Sequence, residues 1–133
     1  MGSLFIPYHV EGSTSKAAAA IRLWGLGGER EMFFSLARRG LVESIATASG
    51  QCWGWRSVDI QGKPFLDFIA AEDHGIILAA LEQARAGGEA NGSMARFLAR
   101  DGAPVDLVFR FAPAETDDAV LGFARERIPR RPG

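Results

Sequence analysis

Apolar positions follow a helical spacing in the first part of the chain and a two-residue spacing in the last third. Thr14 or Ser15 suits the N-cap of a helix running through Ala17, Ala18, Ala19 and Ala20 to about Trp24. Gly25, Gly27 and Gly28 break it. A second helix is expected from Glu29 to Arg39. Its acids Glu29 and Glu31 lie in the first turn and Arg38 and Arg39 in the last, the favourable order for the helix dipole. Met32, Phe33 and Leu36 form its apolar stripe, and Gly40 stops it. Leu41 to Ser49 and Cys52 to Val58, interrupted by Gly50-Gln51, read as a hairpin. Pro64 opens a short helix carrying Phe65, Phe68 and Ile69. A longer helix spans about Ala71 to Ala86, with Ile77, Leu78, Leu81 and Ala84 at helical spacing and Gly87-Gly88 after it.

From Asn91-Gly92 onward the period is two. Ser93 to Arg100 and Val105 to Phe111 flank Asp101-Gly102, a strong turn signal. Val105, Leu107, Phe109 and Phe111 share one face of their strand. Asp106 and Arg110 lie on the other, where Val108 is the exception. Ala119 to Arg125 reads as a last strand. The expected fold is α+β, a five-stranded antiparallel sheet with helices on one face and an N-terminal flanking helix. The expected organisation is a lead-in and short helix over 1–28, a flanking helix over 29–40, one domain over 41–128, and a tail over 129–133.

Composition narrows this picture. The chain has 133 residues, 47% of them hydrophobic, enough for one domain with a real core and too apolar for a disordered segment. A net charge of -1 provides no global field for nucleic acid or an anionic membrane. One cysteine, Cys52, excludes an internal disulfide framework and a Cys-rich zinc site, and fits a cytoplasmic setting. No apolar run approaches the roughly 18 residues that span a bilayer. No basic flank precedes an apolar stretch at the N-terminus, so no signal peptide is expected.

Three stretches in order resemble the PAS (Per-Arnt-Sim) domain of bacterial signalling proteins such as sensor histidine kinases. Gly62-Lys63-Pro64-Phe65-Leu66-Asp67-Phe68-Ile69 followed by Glu72-Asp73 resembles the family's "GKPFLDFIHPED" segment. Leu78-Ala79-Ala80-Leu81 through Gly87-Gly88-Glu89 resembles the helix and exit that follow. Phe97 to Arg100 with Asp101-Gly102 and Pro104-Val105 resembles the "RxKDGSxxW" hairpin, and Gly122-Phe123-Ala124-Arg125 fits the last strand. The resemblance implies a sensor or interaction domain. It usually places two short helices, which wall a ligand pocket, before the "GKPF" segment. Only Ser57 to Gln61 are left for them here, so an abbreviated pocket is expected. Where the flavin-binding subclass carries a cysteine the chain reads Pro64-Phe65-Leu66-Asp67, and the haem-ligand position falls near Ile77, so no cofactor is expected. Arg125-Glu126-Arg127-Ile128 replaces the family's usual C-terminal exit motif.

Few residues carry chemistry. His74, beside Glu72 and Asp73, is either a ligand or pH switch or a solvated first-turn residue, and the second reading is preferred. No His/Cys/Asp/Glu cluster has metal-site spacing. Cys52 has apolar sequence neighbours that give no reason for a lowered thiol pKa, so it reads as structural. Trp53 and Trp55 alternate, which places them on one strand face, where they stack on a flat ligand with Phe97 and Phe109, anchor a partner or, as the preferred reading, fill the core. Gly25-Leu26-Gly27-Gly28 lacks a phosphate loop's preceding strand and Gly-Lys-Ser/Thr ending, and reads as a linker. Ser13, Ser15, Ser35 and Ser44 have no nucleophile-elbow context, and Asp117 and Asp118 read as a solvated turn. Arg125, Arg127, Arg130 and Arg131 form a small basic terminus without interleaved aromatics.

The expected function is a non-catalytic PAS-type signalling module. It acts by protein contact or homodimerisation through the outer sheet face and the helix stripe of Met32, Phe33 and Leu36, unless that helix covers its own sheet, and regulates an attached or partner output protein such as a histidine kinase or cyclic-dinucleotide enzyme. One alternative is a ligand-sensing domain that binds a small apolar or aromatic molecule near Trp53, Trp55, Phe97 and Phe109. A small isomerase-like enzyme is disfavoured, because no acid falls on the inward strand face. Neither nucleic-acid nor membrane contact is expected.

Overall fold

The computed structural model describes residues 8–24, 30–115 and 118–127. Six strands form one antiparallel sheet in the order β1-β3-β2-β8-β7-β6. They are β1 (His9–Gly12), β2 (Glu31–Leu36), β3 (Val42–Thr47), β6 (Ala90–Leu98), β7 (Pro104–Pro113) and β8 (Val120–Glu126). Two-residue strands β4 (Gln51–Cys52) and β5 (Trp55–Arg56) form a separate small hairpin. The helices are α1 (Thr14–Trp24), α2 (Ser57–Ile60) and α3 (His74–Arg85), with 3-10 turns at Phe65–Phe68 and Ala71–Asp73. The expected α+β architecture stands, but its sheet has six strands: β1 and β2 join it, and the expected strand from Cys52 to Val58 does not. The first turn of α1 closes through the Ala17 N–H on the Ser13 carbonyl at 3.1 Å.

The expected helix over 29–39 is strand β2. Its residues Met32 to Leu36 are all buried, because both faces of this strand are covered. Met32, Phe34 and Leu36 enter the core beneath α3, and Phe33 enters a second core beneath α1. A strand buried on both sides carries no alternation, so an apolar run at i, i+1 and i+4 fits it as well as a helix. The stripe of Met32, Phe33 and Leu36 is therefore interior, and the exposed dimer interface expected there is not present. The sheet also does not begin at residue 41. The 29–40 segment and the 41–128 segment are parts of one sheet, and β1 and α1 of the supposed lead-in pack on it. Residues 128–133, which include all of the expected tail, and the Gly25–Gly28 linker lie outside the described residues.

Moving the first strand back restores what seemed to be missing. With β2 and β3 as the opening pair, the whole stretch from Ala48 to Gln61 precedes Gly62, and it contains the β4–β5 hairpin and α2. The expected second arm, Cys52 to Val58, shrinks to that small hairpin because it turns away from β3 at once.

The two cores explain why the sheet holds together. On the inner face Phe34, Phe65, Phe109 and Phe111 pack ring on ring at centroid separations from 4.9 to 6.5 Å. Burying each such side chain contributes about 1.5–3 kcal/mol. On the outer face Ala17 and Ala20 let α1 approach Phe33, Ala46, Leu121 and Phe123 closely, and Trp24 stacks over Phe123 at 6.0 Å. Two buried hydroxyls, Ser35 and Ser44, satisfy each other at 2.6 Å across β2 and β3.

Phe34 lies directly over Gly122 of β8, its cross-strand partner. A Cβ at position 122 would sit 2.2 Å from the Phe34 ring, so the glycine is the space that the ring occupies. Gly122→Ala is expected to cost about 1–3 kcal/mol in urea denaturation. Adding Phe34→Leu should return part of that loss; two independent, additive losses would show that the ring does not rest on Gly122.

Candidate functional site

The Trp53–Trp55 region is a two-residue hairpin turn. Trp53 and Gly54 both have positive φ (47° and 86°), which is the geometry of a tight I′ connection. Glycine adopts it freely and tryptophan does so at a cost of about 1–3 kcal/mol. Packing holds it there. The Trp53 ring lies 5.3 Å from Phe97, and its carbonyl accepts the Arg100 N–H at 3.1 Å. Trp55 meets Phe68 edge-on at 5.2 Å, donates its indole N–H to the Leu98 carbonyl at 2.9 Å, and carries the Arg100 guanidinium over its face at 5.6 Å. The hairpin is thus clamped on the end of β6. Asp59 of α2 reinforces the clamp, with Arg56 at 3.3 Å and Arg100 at 3.5 Å, and these contacts, the Arg56 hydrogen bond first, hold its carboxyl below the usual range.

The four expected ligand-pocket residues divide between two ring clusters. Trp53, Trp55, Phe68 and Phe97 form one, while Phe109 belongs to the Phe34 cluster deeper in the sheet. Phe97 and Phe109 are fully buried, and both tryptophans are half-buried. Trp53 borders two shallow open depressions, one with Ala99 and Arg100 and one with Arg30, Gln51, Cys52 and Glu126. The alternation of Trp53 and Trp55 reflects the turn, not a continuous strand face.

A second polar constellation ties the α3 entry to β6. Asp73 accepts the Arg96 backbone N–H at 2.8 Å and its guanidinium at 2.9 Å, with Glu72 alongside at 3.4 Å. The hydrogen bond from the Arg96 side chain, and then that from its backbone, holds the Asp73 carboxyl below the usual range. His74 shares the α3 entry. Its Nε2 donates to the Ile69 carbonyl at 2.9 Å, a local closure that needs no ligand. It is not the only ordered histidine: His9 of β1 contacts Glu11 at 2.8 Å.

The remaining sequence candidates stay apart. Ser35 and Ser44 lie beneath α1 with no histidine in contact, and Asp118 pairs with Arg38 on the surface. Among the described residues, no three His, Cys, Asp or Glu side chains group as a metal site, and no helix is long and apolar enough to cross a membrane. The buried polar residues are Ser35, Ser44, Thr47 and Ser57, and none of them carries a charge.

Comparison places this architecture. No protein-family profile and no curated protein sequence matches the chain. Solved structures do match. A variant Drosophila melanogaster Cycle PAS-B domain with bound glycerol aligns over 72% of this chain and 99% of its own, at 13% identity and a TM-score of 0.64. A domain of a sensory box sensor histidine kinase/response regulator from Geobacter sulfurreducens aligns over 84% and 93%, at 17% identity and a TM-score of 0.63. The N-terminal domain of a diguanylate cyclase with PAS/PAC sensor from Marinobacter aquaeolei aligns over 72% and 94%, at 19% identity and a TM-score of 0.58. The fold is an antiparallel α+β sheet with helices across its inner face. In particular it is the PAS fold, which the three sequence segments led one to expect.

Cys52 lies beside the Trp hairpin, buried within the inner core. Burial pushes its thiol from 9.0 up to about 12. The folded value lies above the unfolded one. Its contribution to stability is therefore full below about 9 and is lost as pH rises toward about 12. In the native protein, alkylation of Cys52 by iodoacetamide should stay far slower than that of a free thiol throughout about pH 7 to 9, and become fast in urea. A native rate comparable to that of a free thiol would contradict this placement.

Proposed function

We propose that this chain is a non-catalytic PAS-type signalling module that acts by protein contact, in a cytoplasmic setting, to regulate an attached or partner output protein. The filled interior supports this reading most directly. Phe34, Phe65, Phe109 and Phe111, each no more than 2% exposed, occupy the space between the sheet and its helices, where a ligand pocket is expected for a PAS domain. With the interior packed by its own side chains, the surface is what remains to carry a signal. No charged side chain is buried there among the described residues, so the interior offers no general acid or base to an isomerase-like reaction. The domains of similar fold from a sensor histidine kinase and a diguanylate cyclase support a signalling role.

The second reading, ligand sensing, rests on the half-buried Trp53 beside its open depressions. Native mass spectrometry with an absorbance spectrum on protein purified without denaturation separates the two. The expected result is the mass of the bare chain, with no absorbance beyond that of its aromatic residues. A co-purified small molecule, released on denaturation, would replace the contact module with a sensor.

A further inference from the structure

The outer face of the sheet is covered unevenly. Helix α1 packs over β1, β3, β2 and β8. Beyond it, among the described residues, the outer faces of β7, β6 and the end of β8 carry no helix. Register places Met94, Val108 and Arg125 side by side across these strands, with Glu31 next in the row. Met94 is 52% exposed, among the largest apolar exposures in the chain, and Val108 is half-buried between it and Arg125. Arg110 borders the strip on the α1 side, opposite Phe123. Arg127 borders it on the other, its N–H bonded to the Asp106 carbonyl at 2.9 Å. Arg110, Arg125 and Arg127 are exposed, and none forms an ion pair with another described residue. Arg96 of the neighbouring row is, in contrast, held by Asp73.

We propose that this uncovered strip binds an acidic segment of a partner protein that presents an apolar side chain to Met94 and Val108 and carboxylates to Arg110, Arg125 and Arg127. The inference rests on the contact-module reading and names its partner. Methionine and arginine are the residue types enriched in interface cores. A flexible Met side chain flanked by cations also suits an acidic, partly apolar chain. Charge favours an acidic segment over a second copy, because the three arginines outnumber the acids Glu31 and Asp106 of the strip and a copy of it would bring the same excess. Nucleic acid fits less well, since no aromatic among the described residues is exposed to stack on a base.

The test uses fluorescence anisotropy on the full chain. The probe is a labelled synthetic peptide of alternating Glu and Ser with Leu at its centre. The controls are the same peptide with Lys for Glu and a labelled DNA duplex. The proposal expects saturable binding of the Glu peptide in the range of about 1–100 μM, weakening with salt. Arg110→Glu with Arg125→Glu, and separately Met94→Asp, should each weaken it at least about tenfold. Arg38→Glu, in the turn at the far end of β2, should change it by less than about twofold. Circular dichroism melts confirm that each variant is folded, and Arg125→Lys should retain binding where Arg125→Glu does not. Absence of saturable binding, equal binding by the charge-reversed variant, or tighter binding of the Lys peptide or the DNA would overturn the proposal. That failure is separate from failure of the contact-module reading, which a co-purified ligand alone would bring about.

Discussion

The ring of Phe34 resting on Gly122 is the contact on which the rest of the arrangement depends. It fixes how closely β2 approaches β8, and it brings the rings of Phe65, Phe109 and Phe111 together over the middle of the sheet. Because the glycine has no Cβ, the ring lies flat where a larger residue would lift it toward the helices. The inner layer is consequently dense and apolar, and it holds no charge among the described residues.

A solid interior moves the functional question outward. The tryptophan hairpin closes one end of the inner layer, with its polar atoms used up on Leu98 and Arg100. Helix α1 closes half of the outer face through alanines, which add contact area without bulk. The other half leaves Met94 exposed and Val108 half-buried among arginines that form no ion pair with another described residue. On the proposed reading, the molecule combines an internally packed centre with one strip that a partner chain completes. That is the physical content of calling it a contact module.

Much of this was legible in the residues. The turn at Asp101-Gly102, the alternation of β7 and the helical spacing around Ile77 and Leu81 lie where the pattern places them, because each element has one wet face and one dry face. β2 was not legible for the opposite reason. Both its faces are dry, so its apolar run carries no period, and the acids and arginines at its ends suit a helix dipole just as well. That one misassignment displaced the first strand, made the helical segment before Gly62 look absent, and turned Met32, Phe33 and Leu36 into a false surface stripe. The strand turn at Trp53 was hidden too, since a tryptophan at positive φ contradicts local preference and is held only by Phe97 and Arg100. Val108 had already stood out as the one apolar residue on the polar face of its strand, and that exception marks the centre of the uncovered strip.

The most direct test of a filled interior is a titration of the wild-type chain with a small apolar probe such as benzene or indole, followed by the ring and methyl resonances of the inner core. The packed rings leave no room, so the signals of Phe34, Phe65, Phe109 and Phe111 should not shift at saturating probe, while Phe34→Ala should open a site and respond. Saturable shifts of those same rings in the wild type would show a pre-formed cavity and contradict the account.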